Sequence, residues 1–247
     1  IETFGQLYAR LLRLDEGGAL APGLAETWEI SPDNKTITLT LRDAKFSNGE
    51  PITAEDVVFS LLRVRDSADS AYPAPLHVLD TAEAVDAKTV KLVLKHPFAP
   101  FLGNLEIFNA GVLSKKDVEA RGDQAFVTDV VTSGPYMVEK WAPNDRLIIA
   151  PNPHYWREGF PKNDGAEIIE IASPNTRAAM MLSGDLDAAR EIACSQMAEM
   201  QAIEKVEMPL EPSTVIYTAL LNHDRPPFDD IKVRQAAAMA LDTAAMA

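Results

Sequence analysis

The sequence predicts a mixed α/β fold, and three observations support this. Two segments in the first hundred residues alternate apolar and polar residues, which is the period of a half-buried strand. Several Ser, Thr or Asp residues precede apolar stripes with helical spacing, as N-caps do. After residue 160 the predicted strands and helices alternate, which favours a partly parallel sheet covered by helices.

The two ends of the chain both show helical patterns. Near the start, the apolar residues with this spacing are Phe4, Leu7, Tyr8, Leu11 and Leu12. Near the other end, residues 236–241 are apolar and helical, and no Gly or Pro cap follows before Ala247. We therefore expect the natural protein to continue beyond both ends.

A β-hairpin is predicted over residues 28–42, with a turn at 32–34. In its second arm, Ile37, Leu39 and Leu41 share one face. A further strand over 89–95 places Val90, Leu92 and Leu94 on one face. Because side chains alternate along a strand, each of these segments is expected to bury one face and to expose the other.

Capping residues predict where several helices begin. Thr53 with Asp56, and Ser114 with Asp117, have the spacing of a capping box. Ser173 and Pro174 open another helix, which a C-capping Gly184 ends. Further helices are expected around Phe101, over 195–203 and from about Asp229. The remaining predicted strands are 106–109, 136–141, 146–150, 167–172, 186–188 and the wholly apolar 215–221.

The charge and the single cysteine exclude several classes of protein. Asp and Glu number 37 against 23 Lys and Arg, so the net charge of −14 argues against a nucleic-acid partner. The longest apolar runs, 215–221 and 236–241, are too short to cross a bilayer. Cys194 has no partner for an intrachain disulfide and is interpreted as a small buried residue.

Catalytic and metal-binding motifs are not found. The four histidines (His77, His96, His154 and His223) are scattered, so no metal site and no cofactor are predicted. Two acid pairs, Asp185 with Asp187 and Asp229 with Asp230, would suit glycoside hydrolysis if they faced each other across a cleft. Their positions at a helix exit and a helix start favour a structural role instead, so no catalytic residue is predicted.

Four aromatic residues have two possible interpretations. Trp141, Tyr155 and Trp156 lie near strand ends. Each could pack in the core or at its rim, or stack on a ligand, and packing is the favoured interpretation. Tyr217 lies inside the apolar strand over 215–221. Its hydroxyl needs a hydrogen-bond partner there, and a ligand is one way to provide it.

Five motifs occur along the chain in a fixed order: LAPGLAETWE at 20–29, LRDAKFSNGEPITAEDV at 41–57, TSGPY at 132–136, PNPHYW at 151–156 and PFDDIKVRQA at 227–236. Together they resemble the family 5 extracytoplasmic solute-binding proteins, the oligopeptide-, dipeptide- and nickel-binding receptors of ABC importers. The resemblance covers essentially the whole chain. Thr53, Gly49, Pro135, Asp229 and Asp230 in these motifs have scaffold roles of their own.

The resemblance implies a periplasmic-binding-protein-like fold of type II, cluster C. This chain would be most of lobe I, with a mixed-sheet core formed by 1–13 and 129–247. Residues 14–128 would form an inserted α+β subdomain. The second lobe would be absent from this chain and would belong to the same, longer protein.

The resemblance also implies a function. The protein would capture a small solute, most commonly a peptide in this family, in a cleft between two lobes. It would deliver that solute to an ABC permease from the periplasm, without catalysis. By position in the family, the expected ligand-binding residues are Ser213, Thr214, Val215 and Tyr217, on a strand near the hinge, and Phe108 and Asn109, on the subdomain wall.

No proline interrupts 213–222, so its amides are expected to pair with an extended peptide. Two alternatives remain open. One is a non-transport binding module on the same scaffold, because fold alone does not determine function. The other is an acid-pair glycoside hydrolase built on Asp185 and Asp187.

Overall fold

The computed structural model describes residues 2–67, 70, 73–201, 206–207 and 220–241. The chain divides into two compact units, Ile1–Glu170 (unit 1) and Ile171–Ala247 (unit 2), which are described separately. The predicted division into a lobe core, 1–13 with 129–247, and a subdomain, 14–128, stays a prediction.

Unit 1 combines short strands with four α-helices among its described residues. The strands are β1 (Leu12–Leu14), β2 (Leu20–Pro22), β3 (Ala25–Ile30), β4 (Thr36–Leu41), β5 (Leu79–Ala84), β6 (Thr89–Leu94), β7 (Tyr136–Ala142), β8 (Arg146–Pro151) and β9 (Ala166–Ile169). The helices are α1 (Glu2–Leu7), α2 (Ala54–Asp66), α3 (Phe101–Asn104) and α4 (Lys115–Arg121). Three 3₁₀ turns lie at Ala74–Leu76, Phe108–Ala110 and Gly122–Phe126.

The predicted hairpin forms β3 and β4 of a four-stranded antiparallel sheet with the order β3-β4-β6-β5, in which β3 is an edge strand and β4 and β6 are central. In β4 and β6, Leu39 lies opposite Val90 and Ile37 opposite Leu92, and all four side chains are buried. The alternation in the sequence therefore predicted correctly which face of each strand packs into the core.

Helix α2 packs against this sheet through Val57 and Leu61, which are buried. Its start is the predicted capping box. The backbone N–H of Thr53 donates to the Asp56 carboxylate at 2.9 Å, and the Thr53 hydroxyl donates to the same oxygen at 2.7 Å. These bonds satisfy polar groups at the helix start that would otherwise lack intrahelical partners.

The second sheet of unit 1 has the order β7-β8-β9, and β1 pairs with β2 alone. Every pairing between the described strands is antiparallel. The predicted strand 215–221 lies outside the described residues except for Leu220 and Leu221, which are not in a strand. Parallel pairing to that strand stays a prediction.

Unit 1 buries two apolar clusters. The larger lies between the four-stranded sheet, α2 and the segment that contains α3, with Phe46 and Phe101 among its fully buried side chains. The smaller lies beside α1 and the β7-β8 pair, and its buried members are Leu7, Tyr8, Leu113, Val118, Ala125, Tyr136 and Ile149.

Unit 2 contains three described helices: α5 (Pro174–Ser183), α6 (Cys194–Gln201) and α7 (Ile231–Ala240). The Ser173 side chain accepts from the Thr176 N–H at 3.3 Å, and the Asp230 side chain accepts from the Lys232 N–H at 2.7 Å. Both helices therefore begin at caps near the predicted positions. The side chain of Cys194 lies outside the described part, so its interpretation stays a prediction.

Three local predictions were wrong. Residues 106–109 form no strand, because bonds from Ala110 N–H to the Ile107 carbonyl and from Gly111 N–H to the Phe108 carbonyl turn the backbone into a 3₁₀ turn. Residues 186–188 form no strand either; nearby, the Arg177 side chain donates to the carbonyls at 190 and 191.

The first helix is also shorter than predicted. It ends at Leu7, and Leu12 begins a strand. The carbonyl of Arg10 accepts from Leu24 N–H, and the carbonyl of Leu11 accepts from Gly23 N–H and Ala25 N–H. Pairing with this distant segment replaces the helical bonds that the apolar spacing predicted.

The C-cap of α5 permits a testable prediction. Gly184 has a φ of +81°, in the left-handed region, and nothing lies within 4 Å of where its Cβ would be. Gly184→Ala is expected to lower the free energy of unfolding by about 1 kcal/mol, because only backbone strain is added.

Gly184→Asn is the matched variant, since asparagine adopts this region more readily than alanine, and it should cost less. Both values come from urea unfolding followed by circular dichroism. Equal losses for Ala and Asn would contradict the strain argument.

A search of the described residues found no helix that is both long enough and apolar enough to span a bilayer.

Candidate functional site

Phe108 and Asn109, the predicted subdomain wall, lie in the 3₁₀ turn Phe108–Ala110 of unit 1. Both side chains are partly exposed, so solvent reaches them. The next residues, from Ala110 to Ser114, are buried. The turn therefore places the Phe108 ring and part of the Asn109 side chain at the surface, directly before a buried segment, although Asn109 Oδ1 itself is buried.

Close packing on helix α1 positions this turn. A Cβ at Gly111 would lie 2.8 Å from Tyr8 Cβ and 3.0 Å from Phe4 Cε1. The Phe4 and Tyr8 rings contact each other, with centroids 4.5 Å apart. Only a glycine lets the backbone after the turn approach the pair of rings this closely.

Hydrogen bonds from the 132–136 motif hold the same region. The Ser133 hydroxyl accepts from Ala9 N–H at 2.9 Å and donates to the Val112 carbonyl at 2.6 Å. Gly134 N–H donates to the Leu7 carbonyl at 2.8 Å. The motif therefore joins the end of α1 to the segment that follows the Phe108–Ala110 turn, and Ser133 is fully buried in doing so.

An ion pair that the sequence analysis missed lies on the other side of the turn. Arg10 Nη1 donates to the Glu106 carboxylate and to the Glu106 carbonyl, both at 2.8 Å. These residues are 96 positions apart. No local spacing could have indicated that they meet.

Tyr8 is the buried titratable group nearest this turn. Burial raises the pKa of its hydroxyl well above the usual range, and the negative charge of Asp117 raises it further. The hydroxyl therefore stays protonated at physiological pH and cannot act as a base. The Tyr8 side chain packs against Phe4 and Gly111, next to the Phe108–Ala110 turn.

The other four predicted ligand-binding residues, Ser213, Thr214, Val215 and Tyr217, lie outside the described residues. Of the predicted site, the structure therefore places Phe108 and Asn109 side by side. The relation of these two to the predicted strand near the hinge stays a prediction.

The acid pairs have structural surroundings. Asp185 and Asp187 are exposed, and Asp185 accepts from the Ser183 hydroxyl at 2.6 Å just after α5. Asp230 caps α7, and Asp229 accepts from the Asp230 N–H at 3.1 Å. Among the described residues, no group of three or more His, Cys, Asp or Glu side chains is placed to hold a metal ion.

The aromatic residues after β7 and β8 lie near arginines. Tyr155 and Trp156 have ring centroids 5.5 Å apart. Trp156 packs against the larger apolar cluster, and the Arg42 guanidinium stacks over its ring at 4.0 Å. This confirms the packing interpretation for Trp156. Trp141 is 46% exposed in β7, as a rim residue would be.

Comparison with known proteins identifies the family. The model of the bacterial extracellular solute-binding proteins, family 5 (middle), matches residues 19–247. A probable D,D-dipeptide-binding periplasmic protein, DdpA of Escherichia coli K12, is 33% identical over 251 residues, covering 95% of this chain and 47% of the relative.

Two solved structures have the same fold. Campylobacter jejuni NikZ in complex with Ni(L-His) superposes with a TM-score of 0.85 at 26% identity, covering 96% of this chain and 48% of that one. Haemophilus influenzae OppA in complex with the peptide RPPGFSPFR superposes with a TM-score of 0.77 at 28% identity, covering 96% and 50%.

The chain spans about half the length of these relatives, which agrees with the prediction that a second lobe is absent from it. The periplasmic-binding-protein-like fold predicted from the motifs is confirmed by the two structures. The chain belongs to the family 5 bacterial extracellular solute-binding proteins.

Proposed function

We propose that this chain is part of the substrate-binding component of an ABC importer, and that its substrate is a peptide. The match of residues 19–247 to the family carries the proposal. A D,D-dipeptide-binding relative and a structure of OppA with a nine-residue peptide support the substrate class. Because the similar protein NikZ was solved in complex with Ni(L-His), a metal chelate is the alternative substrate class that must be tested.

Membership of this family confirms the predicted extracytoplasmic location. Its members bind solutes, which fits a protein that does not turn its ligand over. In our proposal the periplasmic protein passes its solute to a membrane permease.

Binding would work by closure of two lobes. A ligand that contacts both lobes stabilises the closed state relative to the open one, and the extent of closure is limited by that difference in affinity. This chain would supply one wall of the cleft, and the rest of the longer protein would supply the other.

The described part of the wall suits a peptide. The amide group of Asn109 can donate to main-chain carbonyls, and the Phe108 ring offers apolar surface to side chains. The hydrogen bonds of Ser133 and the close packing at Gly111 hold the turn against α1. The turn therefore loses little conformational entropy when a ligand binds. An extended peptide would pair with the amides of 213–222.

A thermal-shift measurement on the full natural protein tests the proposal. Di- and tripeptides are expected to raise its melting temperature, because a ligand at about 100 times Kd stabilises the folded state by about 2.7 kcal/mol. A rise in melting temperature with Ni(L-His) but with no peptide would indicate that the substrate is a metal chelate and not a peptide. No shift with peptides, metal chelates, opines or sugars would contradict the receptor function itself.

The wall is tested in the same protein by Phe108→Ala and Asn109→Ala. Each is expected to weaken peptide binding by about tenfold, or about 1.4 kcal/mol, measured by isothermal titration calorimetry. Phe98→Ala is the control, because Phe98 is a phenylalanine of unit 1 that is 38% exposed and lies outside the predicted wall. Equal affinities for all three variants would exclude Phe108 and Asn109 from the site.

A further inference from the structure

Two arginines of unit 1 donate to neighbouring carbonyls of one turn. Arg13 Nε donates to the Pro22 carbonyl at 3.1 Å, and Arg42 Nε donates to the Gly23 carbonyl at 2.6 Å. Both side chains are partly exposed. Because these two carbonyls are consecutive along the chain, the two guanidiniums are held on the same short turn.

Arg10 reaches the same turn through its backbone. Its carbonyl accepts from Leu24 N–H at 2.9 Å, and a Cβ at Gly23 would lie 2.5 Å from the Arg10 carbonyl oxygen. The Arg10 side chain is partly exposed and pairs with Glu106.

An aromatic pair adjoins these arginines. The Arg42 guanidinium stacks over Trp156 at 4.0 Å, and Trp156 contacts Tyr155. The following residue, Arg157, stacks its guanidinium on Phe160 at 3.8 Å. The indole Nε1 of Trp156 is buried and has no hydrogen-bond acceptor within the described part of the chain.

We call Arg10, Arg13, Arg42 and Arg157 the guanidinium cluster. Arg13 and Arg42 donate to consecutive carbonyls, the Arg10 backbone pairs with Leu24 beside them, and Arg157 directly follows the Trp156 ring on which Arg42 stacks. Burial raises the pKa of the Tyr155 hydroxyl, while the positive charges of all four guanidiniums oppose that rise.

Three of the four cluster arginines have no carboxylate partner within the part of the chain that the structure describes. Elsewhere in unit 1, Arg65 pairs with Asp66, Arg121 with Asp117, and Arg146 with both Asp145 and Glu167. Within the cluster, Arg10 pairs with Glu106. For the other three, the described residues include no carboxylate at ion-pair distance. Three uncompensated positive charges thus lie together in a chain whose net charge is −14.

We propose that the guanidinium cluster is a docking site for an acidic peptide segment of a partner protein, with two or more carboxylates. Planar guanidiniums pair bidentately with carboxylates. Several carboxylates are needed, because the unpaired guanidiniums come from three separate segments of the chain and one carboxylate cannot pair with all of them. The Tyr155 and Trp156 rings would support the methylene groups of the acidic side chains.

A surface site fits these residues better than a pocket for a small free anion. All four cluster side chains are partly exposed, so several carboxylates of one segment can reach them from solvent.

The test uses the whole chain and fluorescein-labelled hexaglutamate, followed by fluorescence anisotropy. Binding is expected at about 0.15 M salt and should weaken as salt rises further, because exposed charges farther apart than the Debye length, about 8 Å at that salt, are largely screened. The same short range lets the local positive charge outweigh the net negative charge of the chain. Hexalysine should not bind at the cluster.

Arg13→Gln and Arg157→Gln are each expected to weaken hexaglutamate binding about fivefold to tenfold, and the double variant should abolish it. Arg146→Gln is the matched control, since it removes the same charge from an arginine that already has carboxylate partners, and it should leave binding unchanged. Arg157→Gln does not touch the Pro22–Gly23 turn, so its result does not depend on that turn staying folded.

Three results would overturn the proposal. The first is absence of hexaglutamate binding, and the second is equal weakening by Arg146→Gln and Arg157→Gln. The third is competition by free glutarate as effective, per carboxylate, as that of unlabelled hexaglutamate, which would assign the cluster to a small anion instead.

Discussion

Asp56→Ala is expected to lower the free energy of unfolding by about 3–5 kcal/mol. Asp56 is 7% exposed and accepts three hydrogen bonds, from the Thr53 N–H, the Thr53 hydroxyl and the Lys115 N–H, at 2.9, 2.7 and 2.9 Å. The carboxylate thereby joins the starts of α2 and α4. Its removal leaves partly buried donors without an acceptor, each at a cost of about 1–3 kcal/mol.

Glu55→Ala is the matched control, because it removes the neighbouring carboxylate of the same helix. The Glu55 side chain is 67% exposed and forms a surface ion pair with Lys115 Nζ. Surface pairs of this kind contribute at most about 1 kcal/mol. Urea unfolding compares the two variants, and a loss at Asp56 no larger than that at Glu55 would show that the bridge between the two helices does not contribute.

Gly23→Ala is expected to lower the free energy of unfolding by about 2–3 kcal/mol. Gly23 is buried, and its Cβ would lie 2.5 Å from the Arg10 carbonyl oxygen and 2.7 Å from the Leu11 carbonyl oxygen. Backbone atoms cannot rotate away as a side chain can, so the bonds from Gly23 and Leu24 to this segment must lengthen. Overpacking of this kind costs about 1–3 kcal/mol.

Gly17→Ala provides the control within the same β1-β2 hairpin. Its Cβ would meet a carboxylate oxygen of the Asp15 side chain at 3.4 Å, an ordinary contact with a group that can move. We expect a change of at most about 0.5 kcal/mol. If both glycines tolerated alanine equally well, the close approach at Gly23 would not limit stability.

The strand and cap predictions succeeded where the determining interactions are local. In β4 and β6, side chains two positions apart share a face by backbone geometry alone, so the buried sides were evident from the alternation. The capping box of α2 joins residues three positions apart, and its partners were therefore visible in the sequence.

The predictions failed where a distant segment competes for the backbone. The spacing at Leu11 and Leu12 is helical, but the carbonyls of Arg10 and Leu11 accept from residues 23–25 instead. Residues 106–109 have strand-like composition, yet the turn that follows packs on Phe4 and Tyr8. Propensity is a weak local preference, and tertiary contacts override it.

Several motifs that identified the family also position the candidate site. The 132–136 motif supplies Ser133 and Gly134, which hold α1 against the segment after Phe108 and Asn109. The 20–29 motif supplies the turn on which Arg13 and Arg42 lie. These roles follow from bonds between residues far apart in the chain, so the motifs alone did not reveal them.

By itself, the sequence determined the family, the strand faces and most helix starts. These depend on periodicity, on caps and on ordered motifs, which are properties of neighbouring residues. Only the tertiary structure decided that Arg10 pairs with Glu106, that α1 ends at Leu7, and that Arg13 and Arg42 donate to the same turn. Those outcomes depend on which distant groups come within a few ångströms of one another, and no local pattern encodes such distances.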